Sequence, residues 1–309
     1  MINSILVVGS SVLTLFLMMA VGFVLGKVGI LKKDALGQLS KALLSVVSPA
    51  IIIDTFLGES RTAETIRGLL VAGAVLVVTY VLNMVLVQLI YRRAGDDKGV
   101  LRFATIYGNT GFMGVPLIQS VLGSTGMGPT VISLVVFGIS TWTHGNVLIG
   151  GRKQLSVKKA LLNPGVVGFV IAVILFALQI KLPAPVTKTI GYISSMNTPL
   201  AMVIIGAQMS AVRFGDVFRD KRLYLVSVLK LLVVPAVTML VMLPLNLDPV
   251  IFMAVTILAA CPMAGATSLF SQMNGKDPSL AARLVTLSTI LCIITLPVMA
   301  ALAGVISGL

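Results

Sequence analysis

The dominant pattern in this sequence is a series of long apolar runs separated by short polar segments. A helix needs about 20 mostly apolar residues to cross the ~30 Å hydrocarbon core of a bilayer. Runs of about that length predict ten spans, at about 5–27, 37–57, 68–91, 100–122, 127–150, 162–180, 186–211, 222–244, 249–273 and 279–306. The pattern therefore predicts an all-α polytopic membrane protein with ten transmembrane helices.

Helix-breaking residues interrupt two of these runs near their midpoints. Residues 107–116 contain three glycines and Pro116, and residues 260–267 contain Pro262 and Gly265. Glycine lowers helix propensity and proline removes a backbone hydrogen bond, so these residues weaken a continuous span. Paired interrupted segments in the two halves of a chain indicate the binding site of a secondary transporter. Close helix packing is the alternative explanation, because glycine and proline are common in membrane helices.

Prolines recur at matching places in the two halves of the chain. The matching pairs are Pro49 with Pro199, in spans two and seven, and Pro116 with Pro262, in spans four and nine. Their offsets of 150 and 146 residues are close to half the chain. Because each half holds an odd number of spans, five, the two halves must enter the membrane from opposite sides.

We therefore expect a 5+5 inverted repeat in which the broken helices of spans four and nine cross. Residues 1–150 form the first five-span repeat and residues 162–309 the second. A short basic segment, 151–161, is the predicted cytoplasmic linker between them.

Composition agrees with a membrane protein, and the positive charges predict its orientation. The chain is 57% hydrophobic and 11% charged, with a mean hydropathy of +1.07. The net charge of +13 is spread between apolar runs, so no nucleic-acid partner is expected. Eighteen of the 23 Lys and Arg residues flank odd-numbered loops, whereas four flank even-numbered loops and one lies in a span. By the positive-inside rule, we expect a multi-pass protein in the lipid bilayer of the cell (inner) membrane, with odd-numbered loops cytoplasmic and both termini outside.

Each broken helix is expected to bring the N-terminus of a half-helix to the middle of the membrane. Helix N-termini present unpaired N–H groups and a partial positive charge, which attract anions in a low dielectric. Glycines let a ligand approach the backbone, and amide and hydroxyl side chains add polar contacts. The predicted substrate-binding residues are Gly108, Asn109, Thr110, Gly111, Pro116, Pro262, Gly265, Ala266 and Thr267.

Two stretches of the sequence resemble the auxin efflux carrier family. Residues 108–118, Gly-Asn-Thr-Gly-Phe-Met-Gly-Val-Pro-Leu-Ile, resemble the fourth-span motif of plant PIN-FORMED carriers, in which Pro-Asn-Thr precedes Met-Gly-Ile-Pro-Leu. Residues 260–262, 274–278 and 295–297 are similar to the ninth span and the tenth span of that family. Gly108 stands where the plant carriers have proline, and no long loop follows span five, so neither auxin nor loop phosphorylation is expected.

The resemblance implies a substrate class, a fold and further site residues. Prokaryotic members include malate and malonate permeases, so a small organic anion is the implied substrate. The family fold is similar to that of bile acid/sodium symporters, with spans 1, 2, 6 and 7 as a scaffold and spans 3–5 and 8–10 as a transport domain. Homodimers through the scaffold spans are implied as well. The resemblance makes Asn109 the first candidate ligand of a carboxylate, and it adds Trp142 and His144 because plant carriers present aromatic residues of span five to the substrate.

Ionisable groups within spans are functional candidates because burying charge in lipid is costly. Asp54 in span two and His144 in span five are candidates for coupling, with an interfacial carboxylate and a packing residue as the alternatives. Lys230 in span eight is a secondary candidate for attracting an anion, and the alternative is that its stem carries the ammonium to the interface. Gln208 in span seven is the other secondary candidate, with a bond to a neighbouring helix or to backbone as the alternative.

The sequence predicts neither a metal site nor a cofactor. Cys261 and Cys292 both lie in apolar runs, and the chain has one histidine. Without paired aspartates or a metal-ligand cluster, an intramembrane enzyme is not expected.

We therefore expect a secondary carrier that moves a small organic anion, a mono- or dicarboxylate, by alternating access at the crossing of spans four and nine. A sodium-coupled bile-acid-type symporter is the alternative with the same architecture, although the crossing lacks an acidic residue. An anion channel or membrane sensor without alternating access is the alternative of another class. Sodium, protons and the membrane potential stay open as driving forces.

Overall fold

The computed structural model describes residues 2–92, 95 and 97–308, with side chains from residue 9 onward. Arg93, one of the loop charges counted above, lies outside the described residues. In chain order the main helices are α1 (Ile2–Lys27), α2 (Lys33–Gly58), α3 (Ala63–Ile90), α4 (Lys98–Ile106), α5 (Val115–Val121), α6 (Gly123–Gly150), α7 (Val157–Leu161), α8 (Pro164–Leu178), α9 (Ala184–Ser210), α10 (Phe214–Arg219), α11 (Lys221–Leu245), α12 (Pro249–Ala260), α13 (Ala266–Met273) and α14 (Ser279–Ser307).

Seven helices of the described chain are long and apolar enough to cross a membrane. They are α1, α2, α3, α6, α9, α11 and α14. The expected all-α, multi-pass membrane protein is therefore confirmed. α8 and α12 are apolar but shorter, with 15 and 12 residues. The predicted spans at 100–122 and 249–273 each form two shorter helices instead of one long helix.

The long helices present apolar side chains on their outer faces as well as in the core. On α1, Leu13, Leu17 and Val24 are exposed, whereas Leu15 and Met19 are buried. The exposed residues are four and then seven positions apart, which places them on one helix face. Soluble proteins rarely expose apolar surface in such continuous stripes, so these faces suit contact with lipid.

Three π-helical turns come directly before prolines. They are Leu43–Val47 before Pro49, Thr110–Gly114 before Pro116, and Leu229–Val233 before Pro235. A proline ring clashes with the carbonyl group four residues earlier and donates no hydrogen bond. The wider π turn gives that carbonyl group room, and such turns are frequent at functional sites. One consequence is that Lys230 lies within a π turn of α11 rather than in a regular helix.

α1 packs closely along the second half of α9. Gly22 lies against the backbone of Val203, and Gly206 lies against the backbone of Met19. A Cβ atom on either glycine would overlap the facing carbonyl oxygen. Membrane helices associate through this kind of close packing, because lipid tails are as apolar as the helices themselves. α2 in turn packs on α8 and α9, so α1, α2, α8 and α9 form a connected group.

The other long helices form a second set of contacts, of α3 with α6, α11 with α12, and α12 with α14. At one end of the molecule a cleft of about 1190 Å³ lies between the two groups. Residues of α2 and α9 line one side of it, and the end of α5 and the starts of α6 and α12 line the other. We call this cavity the open cleft.

Candidate functional site

The two interrupted stretches pair with each other through their backbones. The amide of Asn109 donates to the carbonyl oxygen of Pro262 at 2.7 Å, and the amide of Ala264 donates to that of Tyr107 at 3.0 Å. Between these bonds, Gly108 and Met263 form an isolated antiparallel bridge. The helices therefore stop because their backbone groups pair across the chain instead of along it. We call residues 107–109 and 262–264 the paired stretch.

Asn109 caps the turn that follows it and keeps its amide nitrogen available. Its Oδ1 accepts a hydrogen bond from the amide of Phe112 at 3.3 Å, and its φ and ψ are not helical. Asparagine is among the residues most favoured at this position. The Nδ2 group donates to no acceptor among the described residues. Nearby, the hydroxyl of Thr110 is buried without a hydrogen-bond partner, and the amide of Gly111 has no acceptor in the described chain.

The second half of the paired stretch leads directly into α13. Ser288 of α14 accepts a hydrogen bond from the amide of Met263 at 3.1 Å and thereby anchors the stretch. The amides of Gly265 and Ala266, at the N-terminus of α13, have no acceptor among the described residues. Thr267 is fully buried and donates its hydroxyl to Ala264, so it serves first to hold the turn.

Lys230 lies directly behind the paired stretch. Its side chain is 1% exposed, and its Nζ donates to the carbonyl oxygen of Ala259 at 3.1 Å. A Cβ atom on Gly108 would be 3.0 Å from that Nζ. The ammonium therefore stays inside the protein, and the alternative that its stem carries it to the interface is wrong.

A small polar cavity of about 20 Å³ adjoins Lys230 and the paired stretch. It is lined on the polar side by Thr79, Tyr80, Asn83, Ser133 and Thr238, together with Thr110. The sequence did not identify Asn83 and Ser133 as candidate site residues. Asn83 could have been recognised, because an amide side chain is unusual within a membrane span. Ser133 could not, because serine is common in membrane helices.

Trp142 and His144 lie in an aromatic cluster next to Tyr107. The Tyr107 hydroxyl donates to the carbonyl oxygen of Ser140 at 3.0 Å and lies 3.0 Å from His144 Nδ1. Because the Tyr107 hydroxyl donates its one proton to Ser140, the bond to His144 requires Nδ1–H as the donor, and Nε2 has no partner among the described residues. Trp142 packs edge-on against Phe270 of α13, with ring centroids 5.0 Å apart.

The structure separates the remaining candidates. Gln208 lies beside the start of α13, with its Oε1 3.8 Å from the Cβ position of Gly265. Asp54 lines the open cleft, and no residue of the paired stretch is among the residues that line it. Pro116 is buried in the first turn of α5. Among the described residues, no group of three or more His, Cys, Asp or Glu side chains could hold a metal ion.

Asn274 fastens the far end of α13 to α6. Its Nδ2 donates to Asn146 Oδ1 at 2.9 Å and to the carbonyl oxygen of Phe270 at 2.8 Å. In the exposed loop beyond it, Ser279 donates two hydrogen bonds to Asp277, which lowers the pKa of that carboxyl group below its usual value. The carboxylate of Asp277 thus binds Ser279, the first residue of α14.

We expect Asn274→Ala to lower the free energy of unfolding by about 1–3 kcal/mol, because it leaves the buried Asn146 oxygen without its donor. Thermal unfolding of the purified protein in detergent measures this. Gln272→Ala, an exposed change on the same helix, is the matched control and should shift the midpoint little. Equal shifts for both variants would contradict the structural role of Asn274.

Comparisons with known proteins agree with a transport role. A family model described as "Membrane transport protein" matches residues 7–158 and 153–300. An uncharacterized transporter of Methanothermobacter thermautotrophicus is 26% identical over 298 residues, which cover 93% of this chain and 95% of that protein. An uncharacterized transporter of Methanocaldococcus jannaschii is 24% identical over 216 residues, or 66% of this chain and 70% of that protein.

Proposed function

Because the chain belongs to the membrane transport protein family, the family of the auxin efflux carriers, we propose that it is a secondary transporter of a small organic anion. The substrate is a mono- or dicarboxylate, and the paired stretch is where it binds. The observation that carries this proposal is the set of unused donors around that stretch, with no carboxylate beside them.

The donors suit a carboxylate for a simple electrostatic reason. Asn109 Nδ2 and the amides of Gly111, Gly265 and Ala266 have no acceptors among the described residues. Two of these amides begin α13, where the helix dipole adds a partial positive charge. Unpaired donors in a low dielectric are costly unless a ligand accepts their hydrogen bonds. An anion supplies that acceptor.

We assign alternating access to the two groups of helices. In this proposal α1, α2, α8 and α9 are the scaffold, through which two copies form a homodimer, and the remaining helices are the transport domain of a ten-span inverted repeat. The packing of α1 on α9 and of α2 on α8 and α9 supports the scaffold group, and the open cleft supports a state accessible from one side. By the charge count, that side is the outside of the cell membrane.

Coupling is assigned to two groups in this proposal. Asp54 is exposed to the open cleft, and His144 keeps one ring nitrogen free beside the paired stretch. Both are proposed because an ionisable group within a span is a functional candidate. Asp54→Asn and His144→Gln would separate their contributions.

Uptake into proteoliposomes tests the proposal. The purified protein should accumulate labelled malate, malonate or an aromatic carboxylate, and protein-free vesicles should not. Sodium, proton and voltage gradients imposed one at a time identify the driving force. Strict sodium dependence would favour the bile-acid-type symporter, and single-channel currents would favour a channel. If no anion of a broad panel moves, the proposal is wrong.

A further inference from the structure

Of the charged side chains that the structure describes, Lys230 alone is buried. It lies within the π turn Leu229–Val233, which faces the paired stretch and the end of α12. A charge in lipid-embedded protein is expensive unless its surroundings stabilise it. The groups around Lys230 therefore indicate how its charge is stabilised and which ligand it suits.

The site around Lys230 Nζ suits an ammonium group that has no carboxylate partner. Its acceptor, Ala259, is in the last turn of α12, where helix carbonyl groups carry a partial negative charge. Three further oxygens in the adjoining cavity, of Asn83, Thr110 and Ser133, have no hydrogen-bond partner. None of the residues lining that cavity is acidic. The dipoles of these oxygens thus stabilise the ammonium, and no carboxylate of the cavity neutralises its charge.

A substrate bound at the paired stretch would interact with Lys230 through its electric field and not by contact. The cavity of about 20 Å³ is large enough for one water molecule but not for a carboxylate. Gly108 is the residue of the paired stretch that lies against Nζ, and its lack of a side chain brings the charge close to the backbone beside Asn109. In a low dielectric, the ammonium would interact strongly with an anion on the other side of the Gly108 backbone.

We infer that Lys230 is the fixed countercharge of the substrate, and that the substrate carries one negative charge. This rests on the proposed function and narrows its substrate class from mono- or dicarboxylates to monoanions. The loaded transport domain is electrically neutral when it crosses, and the empty domain carries one positive charge back.

The inference separates two modes of transport. In net uptake the domain returns empty, so one charge crosses the membrane in every cycle and the rate depends on voltage. In exchange, with substrate on both sides, the domain crosses loaded in both directions. Exchange of a monoanion should therefore be independent of voltage, whereas exchange of a dianion should depend on it.

Proteoliposomes clamped with potassium and valinomycin measure this. With equal monoanion inside and outside, labelled exchange by the natural protein should be unchanged between 0 and about 100 mV. A charge that crosses the full field on a symmetric barrier slows exchange roughly threefold at that voltage, in either polarity. A transported dianion analogue should show that slowing in the same vesicles.

Two variants each lower the net charge of the transport domain by one. Lys230→Met removes it, and Asn83→Asp places a carboxylate at the same cavity while the lysine stays. Both should make monoanion exchange roughly threefold slower at about 100 mV, because the loaded domain then carries one negative charge. Ser133 lines the same cavity, and Ser133→Ala does not change the charge, so this variant should keep exchange independent of voltage.

Voltage-dependent exchange of the monoanion by the natural protein would overturn the inference, whether or not the variants fold. Equal voltage dependence for monoanion and dianion would overturn it as well. These results differ from failure of the proposed function, in which no anion of the panel exchanges at all.

Discussion

Asn109→Asp is expected to abolish anion transport while leaving the protein folded. The aspartate oxygen caps the following turn as the asparagine oxygen does, accepting from Phe112. However, the change removes the Nδ2 donor and adds a negative charge where the carboxylate binds. Like charges in contact cost several kcal/mol, so transport should fall by about 100-fold or more.

Stability and transport must be measured together for this variant. Asn109→Ser is the matched control, because serine also caps helices, stays neutral and keeps a donor. It should retain more transport than the aspartate variant at a similar thermal midpoint. If Asn109→Asp transports at the natural rate, Asn109 does not bind the substrate.

Gly206→Leu is expected to destabilise the protein strongly. The new side chain would enter the space of the Met19 carbonyl group and the backbone of Phe23, so α1 and α9 would have to separate. Overpacking of a well-packed site costs about 1–3 kcal/mol, and overlap with backbone puts this variant at the upper end or above. The thermal midpoint in detergent and the yield of folded protein measure the effect.

Gly9→Leu provides the control for that change. No atom lies within 4 Å of a Cβ at Gly9, which is also on a helix of this pair. Leucine has the higher helix propensity, so this variant should be as stable as the natural protein or slightly more stable. If Gly206→Leu behaved like Gly9→Leu, the close packing of α1 on α9 would be contradicted.

The prolines that mark the two interruptions in the sequence do not mark the residues at which the helices stop. Pro116 marks the first interruption, yet the helix ends at Ile106, well before it. The reason is that Asn109 caps a new turn and the π turn Thr110–Gly114 accommodates the proline. At the second interruption the proline lies inside the paired stretch. Pro262 accepts the hydrogen bond from Asn109, and α13 begins four residues later.

The direction of Lys230 could not be predicted from the apolar pattern. Span eight is apolar on nearly all faces, so periodicity does not choose which side a lysine occupies. The π turn before Pro235 also inserts a residue, which rotates the helix face by about 100° relative to a regular helix. Asn83 and Ser133 lie on two other helices, and only the folded chain brings them to the same cavity. A lysine in a span was visible in the sequence, whereas its oxygen-lined surroundings were not.

The most direct test of the paired stretch as the anion site is an experimental structure with a heavy-atom carboxylate bound. A brominated analogue of whichever substrate the uptake panel identifies would show its position by anomalous scattering. The proposal predicts a carboxylate within hydrogen-bond distance of Asn109 Nδ2, beside the N-terminus of α13. A ligand held only in the open cleft, away from Asn109, would contradict it.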